Sequence, residues 1–112
     1  MPIALPFDLQ PAFRALSDPT RRDILQMLGR GEMTIAEVAE HFDITRAAVK
    51  KHLVILQQGN LISSHKQGRE RIHQLNAAAL RPVFDWLGWF DQFWDNRLDA
   101  LKTAVEKDQT DD

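Results

Sequence analysis

The chain has 112 residues, 44% of them hydrophobic and 27% charged, and its 14 Lys and Arg against 16 Asp and Glu give a net charge of -2. This length and composition predict a single compact domain with a modest core rather than a disordered chain. The chain has no cysteine, no run of about 20 apolar residues that could cross a bilayer and no start typical of a secretory signal, so cysteine chemistry is excluded and a cytoplasmic location is expected.

The beginning of the chain predicts an arm and two helices. Residues 1–8, which include two prolines, are expected to form a flexible arm. A short first helix then runs through Pro11, which a first helical turn tolerates, to Leu16. Asp18 is a suitable cap for a second helix, and Pro19 suits its first position. This second helix should end at the glycine-rich stretch 29–31.

A third helix is predicted to begin at Thr34. Thr34 and Glu37 have the spacing of a capping box, in which the threonine hydroxyl and the glutamate carboxylate each accept a backbone amide at the start of the helix. The helix is short, and we expect it to bury Ile35, Val38 and Phe42.

A fourth helix follows after a tight turn, with Thr45 as its N-cap. Val49, Leu53 and Leu56 recur at the spacing of one helical face, so they should point into the core. The helix is expected to end near residues 59–60. Two short helices joined by a tight turn form a helix-turn-helix, in which the second helix lies in the major groove of DNA.

The second half of the chain predicts a hairpin and a long helix. Residues 61–75 have the pattern of a β-hairpin with its turn at residues 67–69. Asn76 can cap a last helix, whose apolar residues from Leu80 to Val105 recur about every 3.6 residues, so one continuous helix is expected there. Residues 107–112 should form a disordered acidic tail. The predicted fold is mainly α with a small β-hairpin wing and about five helices, a winged helix-turn-helix in one domain over residues 9–106.

Charge is unevenly distributed along the chain. Residues 44–75 contain six basic residues and one acid, a net charge of +5, whereas residues 85–112 contain eight acids and three basic residues, a net charge of -5. The fourth helix and the hairpin therefore offer a basic surface that attracts phosphate, while the end of the chain repels it.

The exposed side of the fourth helix supplies the candidate DNA-binding residues. Arg46 is the best candidate for a base contact, because its guanidinium can bind a guanine through two hydrogen bonds. Lys50 can add a base or phosphate contact, and Ala47 can touch a thymine methyl group. Thr45 and Lys51 are candidate phosphate anchors.

The hairpin adds a second basic element. Lys66, Arg69 and Arg71 are expected to reach the flanking DNA backbone or minor groove, and His65 and His73 to help the hairpin touch phosphate. An isolated group of charges is more often an ordinary solvated surface, but two adjoining basic elements favour DNA contact. An alternative is a winged helix used for protein contact, in which these residues would meet an acidic partner.

Several ordered motifs resemble those of the ArsR/SmtB family of bacterial winged-helix repressors, and the resemblance covers nearly the whole chain. The motifs lie at residues 13–22 (FRALSDPTRR), 45–53 (TRAAVKKHL), 59–62 (GNLI) and 68–69 (GR). The resemblance implies a homodimer built from the first and last helices, binding to double-stranded operator DNA, and repression that a ligand usually releases.

Metal-sensing members of that family resemble one another in carrying a cysteine pair in the third helix or a His/Asp set in the last. Here residues 35–42 contain no cysteine and residues 80–105 no histidine. The chain is therefore more similar to the metal-independent branch with a Trp- and Phe-rich final helix, and neither a metal nor another cofactor is expected. The aspartates of the last helix are interpreted as a solvated face.

Six of the nine Phe and Trp residues fall between Phe84 and Trp94. With the aliphatic residues of the last helix they form an apolar surface that a monomer of this size cannot bury, so a second copy of the chain is the expected partner. An alternative is a pocket in this helix for an unknown small apolar effector. The expected dimer interface consists of Phe13, Leu80, Val83, Leu87, Phe90, Trp94, Leu98 and Leu101.

Catalysis is not expected. No serine lies in a nucleophile elbow, residues 29–31 lack the third glycine and the preceding strand of a dinucleotide-binding loop, and the four histidines lack HExxH spacing. The sequence thus predicts a sequence-specific DNA-binding regulator of transcription, most simply a repressor that binds an inverted-repeat operator as a homodimer.

Overall fold

The computed structural model describes residues 8–94 and 101–105, and the chain divides into two compact units, residues 1–81 and 82–112. Residues 1–7 of the expected arm and the expected tail lie outside the described ranges. No helix within these ranges combines the length and apolar character that a bilayer crossing requires. The elements are α1 (Gln10–Leu16), α2 (Pro19–Arg30), β1 (Met33–Thr34), α3 (Ile35–Ala39), α4 (Arg46–Gln58), β2 (Ile62–Gln67), β3 (Glu70–Leu75) and α5 (Ala77–Gly88). They confirm the predicted mainly α fold with a hairpin wing.

Local capping fixes the start of α2. Asp18 Oδ2 accepts a hydrogen bond from the Arg21 amide at 3.0 Å, and Pro19 occupies the first helical position, as predicted. The same amide holds the pKa of the Asp18 carboxyl below its usual value. The buried residues of α2 are Ile24, Leu25, Met27 and Leu28.

A capping box starts α3, which confirms the prediction at Thr34. The Glu37 amide donates to Thr34 Oγ1 at 3.2 Å, and the Thr34 amide donates to Glu37 Oε1 at 3.0 Å. Because α3 is only five residues long, one side chain, Val38, points fully into the core. Ile35 and Phe42 are half-buried, so the expectation that all three are buried is correct for Val38 alone.

α4 supplies the centre of the core. Val49, Leu53 and Leu56 are buried, as the predicted stripe requires. α1 packs against the C-terminal end of α4, where a Cβ added at Gly59 would lie 2.9 Å from the carbonyl oxygen of Pro11. Glycine at this position therefore permits an approach of the two helices that a larger residue would obstruct.

The three strands form an antiparallel sheet in the order β1-β3-β2. The predicted hairpin is confirmed: Ile62 pairs with Leu75 and Gln67 with Glu70, and its turn contains Gly68, whose φ of 67° favours glycine. β1 is absent from the sequence prediction, because a strand of two residues carries no alternating pattern. It forms by pairing with β3.

The start of α5 is tied to the end of α4. The side-chain amide of Asn76 donates to the carbonyl oxygen of Asn60 at 2.9 Å, and the backbone carbonyl of Asn76 accepts the Ala79 amide at 3.1 Å. Asn60 itself has a φ of 63°, a left-handed conformation that asparagine tolerates better than most residues. The predicted end of α4 near residues 59–60 is thus confirmed.

The prediction of one continuous helix over residues 80–105 is wrong. α5 ends at Gly88, residues 89–90 form a turn, and residues 91–94 are helical again, as are residues 101–105. Glycine has a low helix propensity, and the amides of Trp89 and Phe90 donate to carbonyl oxygens three residues earlier rather than four. The rings of these two residues also meet edge to face, with centroids 4.8 Å apart, which stabilises the turn.

Candidate nucleic-acid interface

The first turn of α4 begins at a side-chain cap. Thr45 Oγ1 accepts a hydrogen bond from the Ala48 amide at 3.1 Å, and the backbone of Thr45 is extended where the chain enters the helix. Arg46 and Ala47 follow directly and are exposed. Thr45, a predicted phosphate anchor, thus uses its hydroxyl oxygen as the cap, while its hydroxyl proton remains available to donate.

Three cations extend from the exposed side of α4. Arg46, Lys50 and Lys51 are exposed, and within residues 8–94 and 101–105 their side chains make no hydrogen bond or ion pair. Val54, also on the exposed side, is 44% accessible. The structure therefore brings the α4 residues that the sequence predicts to contact DNA onto one solvent-facing side of one helix.

The wing places like charges opposite each other. Lys66 in β2 pairs with Arg71 in β3, and a directly opposed pair of like charge disfavours a hairpin. Arg71 Nη1 donates to Ser64 Oγ at 3.0 Å, and Arg69 lies in the turn. All three cations are exposed. An anion held between them would remove the repulsion.

The two histidines of the wing occupy different environments. His65 is exposed on β2, whereas His73 is 3% exposed and lies opposite Met33 of β1. Burial lowers the pKa of His73, although a hydrogen bond with the Met33 backbone acts in the other direction. The prediction that His73 touches phosphate is therefore wrong, because its side chain is buried.

An arginine of α2 joins α1 to α4, a contact that the sequence does not predict. Arg21 Nε donates to the carbonyl oxygen of Ala15 at 2.9 Å, and Nη2 donates to that of Arg14 at 3.0 Å. Its Nη1 lies 3.4 Å from Nδ1 of His52 on α4. Arg21 therefore holds the C-terminal end of α1 beside the helix with the candidate DNA contacts. The one signal for this role in the sequence is the resemblance of residues 13–22 to a family motif.

The residues of the expected dimer interface differ in exposure. Leu87, Trp94 and Leu101 are 53%, 58% and 63% exposed, and Val83 is buried. The half-buried members are Phe13, Leu80 and Phe90, and Leu98 lies outside the described residues. Further exposed aromatic side chains are Phe84, Trp86, Trp89 and Phe93. The described residues of the segment 84–105 thus carry a substantial apolar surface.

A recess of about 470 Å³ lies within this aromatic segment. Trp86, Phe90 and Trp94 contribute rings to its lining, and Asp91 contributes a carboxylate. Among the described residues, no three His, Cys, Asp or Glu side chains are grouped closely enough to hold a metal ion. The lining is therefore mainly apolar, with one carboxylate.

Comparison with known proteins identifies the family to which this geometry belongs. Residues 16–65, which span α2, α3 and α4, match a family described as a helix-turn-helix domain. The chain is also 42% identical over 86 residues to the transcriptional repressor SdpR of Bacillus subtilis, across 77% of this chain and 96% of that repressor. The similarity therefore includes the wing as well as the helix-turn-helix.

Two solved structures share the fold. An ArsR family transcriptional regulator superposes with a TM-score of 0.71 at 37% identity, over 78% of this chain and 96% of that one. An ArsR-like transcriptional regulator from Rhodococcus sp. RHA1 gives a TM-score of 0.67 at 38% identity, over 85% and 90%. These similarities identify a DNA-binding transcriptional regulator rather than an enzyme. The chain belongs to the ArsR/SmtB-type family of winged helix-turn-helix transcriptional repressors.

Proposed function

We propose that this repressor acts as a homodimer whose two α4 helices bind the two halves of an inverted-repeat operator. The observation that carries the proposal is the group of exposed cations on α4, which have no hydrogen-bond or ion-pair partner among the described residues and lie next in sequence to a basic wing. Twofold symmetry would separate the two α4 helices by about one turn of DNA, so that each enters the major groove on the same face of the duplex. A cytoplasmic location is part of this proposal.

In this proposal α4 supplies the sequence discrimination. Arg46 is exposed in the first turn of α4, and its planar guanidinium can donate two hydrogen bonds to O6 and N7 of a guanine. Ala47 offers a methyl group to the methyl group of a thymine. Lys50 lies one turn later and reaches a base edge or a phosphate. The first turn is where helices of this kind contact bases.

The remaining cations position the protein on the DNA backbone. Lys51, the hydroxyl group of Thr45 and the wing donate to phosphate oxygens, which fix the register but carry no sequence information. The opposed Lys66 and Arg71 side chains support this role, because a phosphate between them would replace their repulsion with attraction. Neutralising several phosphates releases counterions, so the affinity for DNA should fall steeply as salt is raised.

A second copy of the chain is proposed to cover the apolar residues between 84 and 105. The exposure of Leu87, Trp94 and Leu101 supports this partner, since monomers seldom leave so large an apolar surface in water. The aromatic recess supports a second candidate, an effector-responsive sensor that binds a small apolar molecule there. Such a ligand would release the operator only if it bound the DNA-free form more tightly.

The test of DNA recognition uses fluorescence anisotropy with labelled DNA from upstream of the protein's own gene. Arg46→Ala should reduce the discrimination between this DNA and an unrelated duplex by about 1 to 3 kcal/mol, because a base contact is lost. Lys51→Ala is the matched variant on the same helix. It should weaken both complexes equally and reduce the salt slope by about one, because a phosphate contact is lost.

Two outcomes would count against these assignments. Equal affinity for any acidic polymer, unchanged by Arg46→Ala, would support the alternative in which the winged helix binds an acidic protein. A loss of discrimination in Lys51→Ala but not in Arg46→Ala would mean that the base contact comes from Lys51.

A further inference from the structure

A second recess lies between α1 and α4 and is bordered by cations. Its volume is about 550 Å³, and Arg14, Lys50 and Lys51 bring positive charge to its lining. Within the described part of the chain, no acidic residue contributes to this lining. The uncharged lining residues are Ala47, Val54, Ile55 and Gln58. The recess therefore suits an anionic group attached to a less polar one.

The packing of α1 on α4 fixes the position of Arg14. A Cβ added at Gly59 would lie 3.2 Å from the Cα of Ala12 and 3.2 Å from the Cβ of Ala15, so small residues bring the two helices close together. The carbonyl oxygen of Arg14 also accepts a hydrogen bond from Arg21 Nη2 at 3.0 Å. These contacts hold the backbone of Arg14 beside the exposed side of α4.

The side chain of Arg14 has no partner in residues 8–94 and 101–105. It is exposed, and no hydrogen bond or ion pair engages its guanidinium group. Lys50 and Lys51 border the same recess, and three cations around one recess repel one another until an anion enters. Within the described residues, the guanidinium group of Arg14 is therefore an exposed positive charge at the edge of this recess.

We propose that Arg14 binds a phosphate of the operator, so that the DNA-binding surface extends from α4 onto α1. This inference rests on the proposed function, in which α4 occupies the major groove. An α-helix with its side chains is about 10–12 Å wide and the groove is about 12 Å wide, so α4 fills it. A cation on the helix beside α4 then lies at the edge of the groove, where the phosphates of one strand run. The apolar lining at Val54 and Ile55 would contact the adjoining sugar.

The test compares Arg14→Gln with Arg30→Gln in titrations of labelled operator at several salt concentrations. Arg30 is a matched control, because it is an exposed arginine at the end of α2 that does not line the recess. Arg14→Gln should reduce the slope of log K against log salt by about 0.9, the contribution of one phosphate. The affinities for operator and unrelated DNA should fall by the same factor. Arg30→Gln and Arg14→Lys should keep the wild-type slope.

Several results would overturn the inference. An unchanged slope in Arg14→Gln would show that no phosphate is bound there, and an equal loss in Arg30→Gln would show an effect of net charge alone. A loss confined to the operator would show a base contact instead. A changed unfolding midpoint or sedimentation coefficient of Arg14→Gln would assign the side chain a structural role.

The proposed function is tested separately by Arg46→Ala in the same titrations. If Arg46→Ala loses discrimination while Arg14→Gln matches the wild type, only the inference about Arg14 fails. If Arg46→Ala and Arg14→Gln both match the wild type, both the proposed DNA contact of α4 and the inference built on it fail.

Discussion

His73 is a titratable side chain in the interior of the sheet. Its Nδ1 atom is buried and has no hydrogen-bond partner among the described residues. Burial lowers the pKa of the ring, so the imidazole stays neutral to a lower pH in the folded protein than in the unfolded chain. When the chain unfolds below the usual histidine pKa of about 6.5, residue 73 takes up a proton. Low pH therefore favours the unfolded state at this residue.

We expect the free energy of unfolding to decrease as the pH falls below about 6.5, and His73→Gln to weaken this dependence. Above that pH the ring is neutral in both states, and its contribution to stability is fully present. Below it only the unfolded chain is protonated, until the pH reaches the lowered pKa of the folded protein. One proton accounts for at most about 1.4 kcal/mol per pH unit, and urea denaturation at a series of pH values measures the slope.

His65→Gln is the matched control, because His65 lies on the neighbouring strand but is exposed. It should leave the pH dependence as in the wild type. If it flattened the dependence as much as His73→Gln does, the buried ring would not be the source. An NMR titration of the His73 ring in the wild type gives a second measurement, and a midpoint at or above about 6.5 would contradict the lowered pKa.

Residues that act over a short stretch of chain can be predicted from the sequence, whereas residues that act across the fold cannot. Thr34 and Thr45 cap helices whose first turns follow directly, so cap and partner appear together in the sequence. His73 is buried and lies opposite Met33 of β1, which is distant in the sequence. Arg14 reaches the second recess because α1 packs on α4. Neither the position of His73 beside β1 nor that of Arg14 beside α4 can be read from a local sequence pattern.

α4 combines two roles in a single helix. Its buried side, with Val49, Leu53 and Leu56, anchors it in the core, and its exposed side carries the candidate DNA contacts. The first turn depends on the Thr45 cap, since the leading amides of a helix have no partner within the helix. Arg46 follows that cap directly. Stability and DNA recognition are therefore coupled at the start of α4.

Thr45→Ala should lower the free energy of unfolding by about 0.5 to 2 kcal/mol, because the Ala48 amide loses its acceptor. It should also weaken operator binding, since Arg46 lies in the turn that then frays. Thr45→Ser keeps the hydroxyl group and should keep both properties. Urea denaturation and anisotropy titrations measure the two effects. If Thr45→Ser were as defective as Thr45→Ala, the methyl group of Thr45 rather than its hydroxyl would be responsible.

The elements show where a repeating pattern is sufficient for prediction and where it fails. The predicted end of α4 is correct, because the last residues of the apolar stripe and the glycine at residue 59 both place the end of the helix there. After Leu80 the apolar residues keep a helical spacing across Gly88, although the helix ends there. The ring contacts of Trp89 with Phe90 and Phe93 involve residues of the interruption itself. Spacing therefore indicates which residues share an apolar side, but not whether the backbone between them stays helical.

At the scale of the whole molecule, the basic residues and the exposed apolar residues belong to different parts of the chain. The net charge of +5 falls on residues 44–75, whereas the exposed aromatic and aliphatic side chains fall mainly on residues 84–105. In the proposed dimer, residues 44–75 contact DNA, and the exposed apolar residues between 84 and 105 contact the second copy of the chain. The acidic residues of 85–112 would repel phosphate, so DNA would not bind at the surface that contacts the second copy.

Leu87→Asp should separate the proposed dimer into monomers. Leu87 is 53% exposed in the single chain. In the interface, the carboxylate of an aspartate at this position would be desolvated without a hydrogen-bond or ion-pair partner to compensate. Gln26→Asp is the matched control, because it adds the same charge at an exposed position of α2. Sedimentation at micromolar concentration should show the wild type and the control as dimers and Leu87→Asp as a monomer.

The same variants test whether the dimer is needed for DNA binding. Once one subunit of a dimer is bound, the other subunit binds the second half-site as an intramolecular step. The monomeric Leu87→Asp variant lacks this advantage, so its affinity for the full operator should be lower by a factor of about 100 or more. Its affinity for a single half-site should stay unchanged, because α4 and the wing are intact. A wild-type chain that sediments as a monomer and still binds the full operator tightly would contradict the dimer proposal. An equal loss in Gln26→Asp would instead attribute the effect to the added charge.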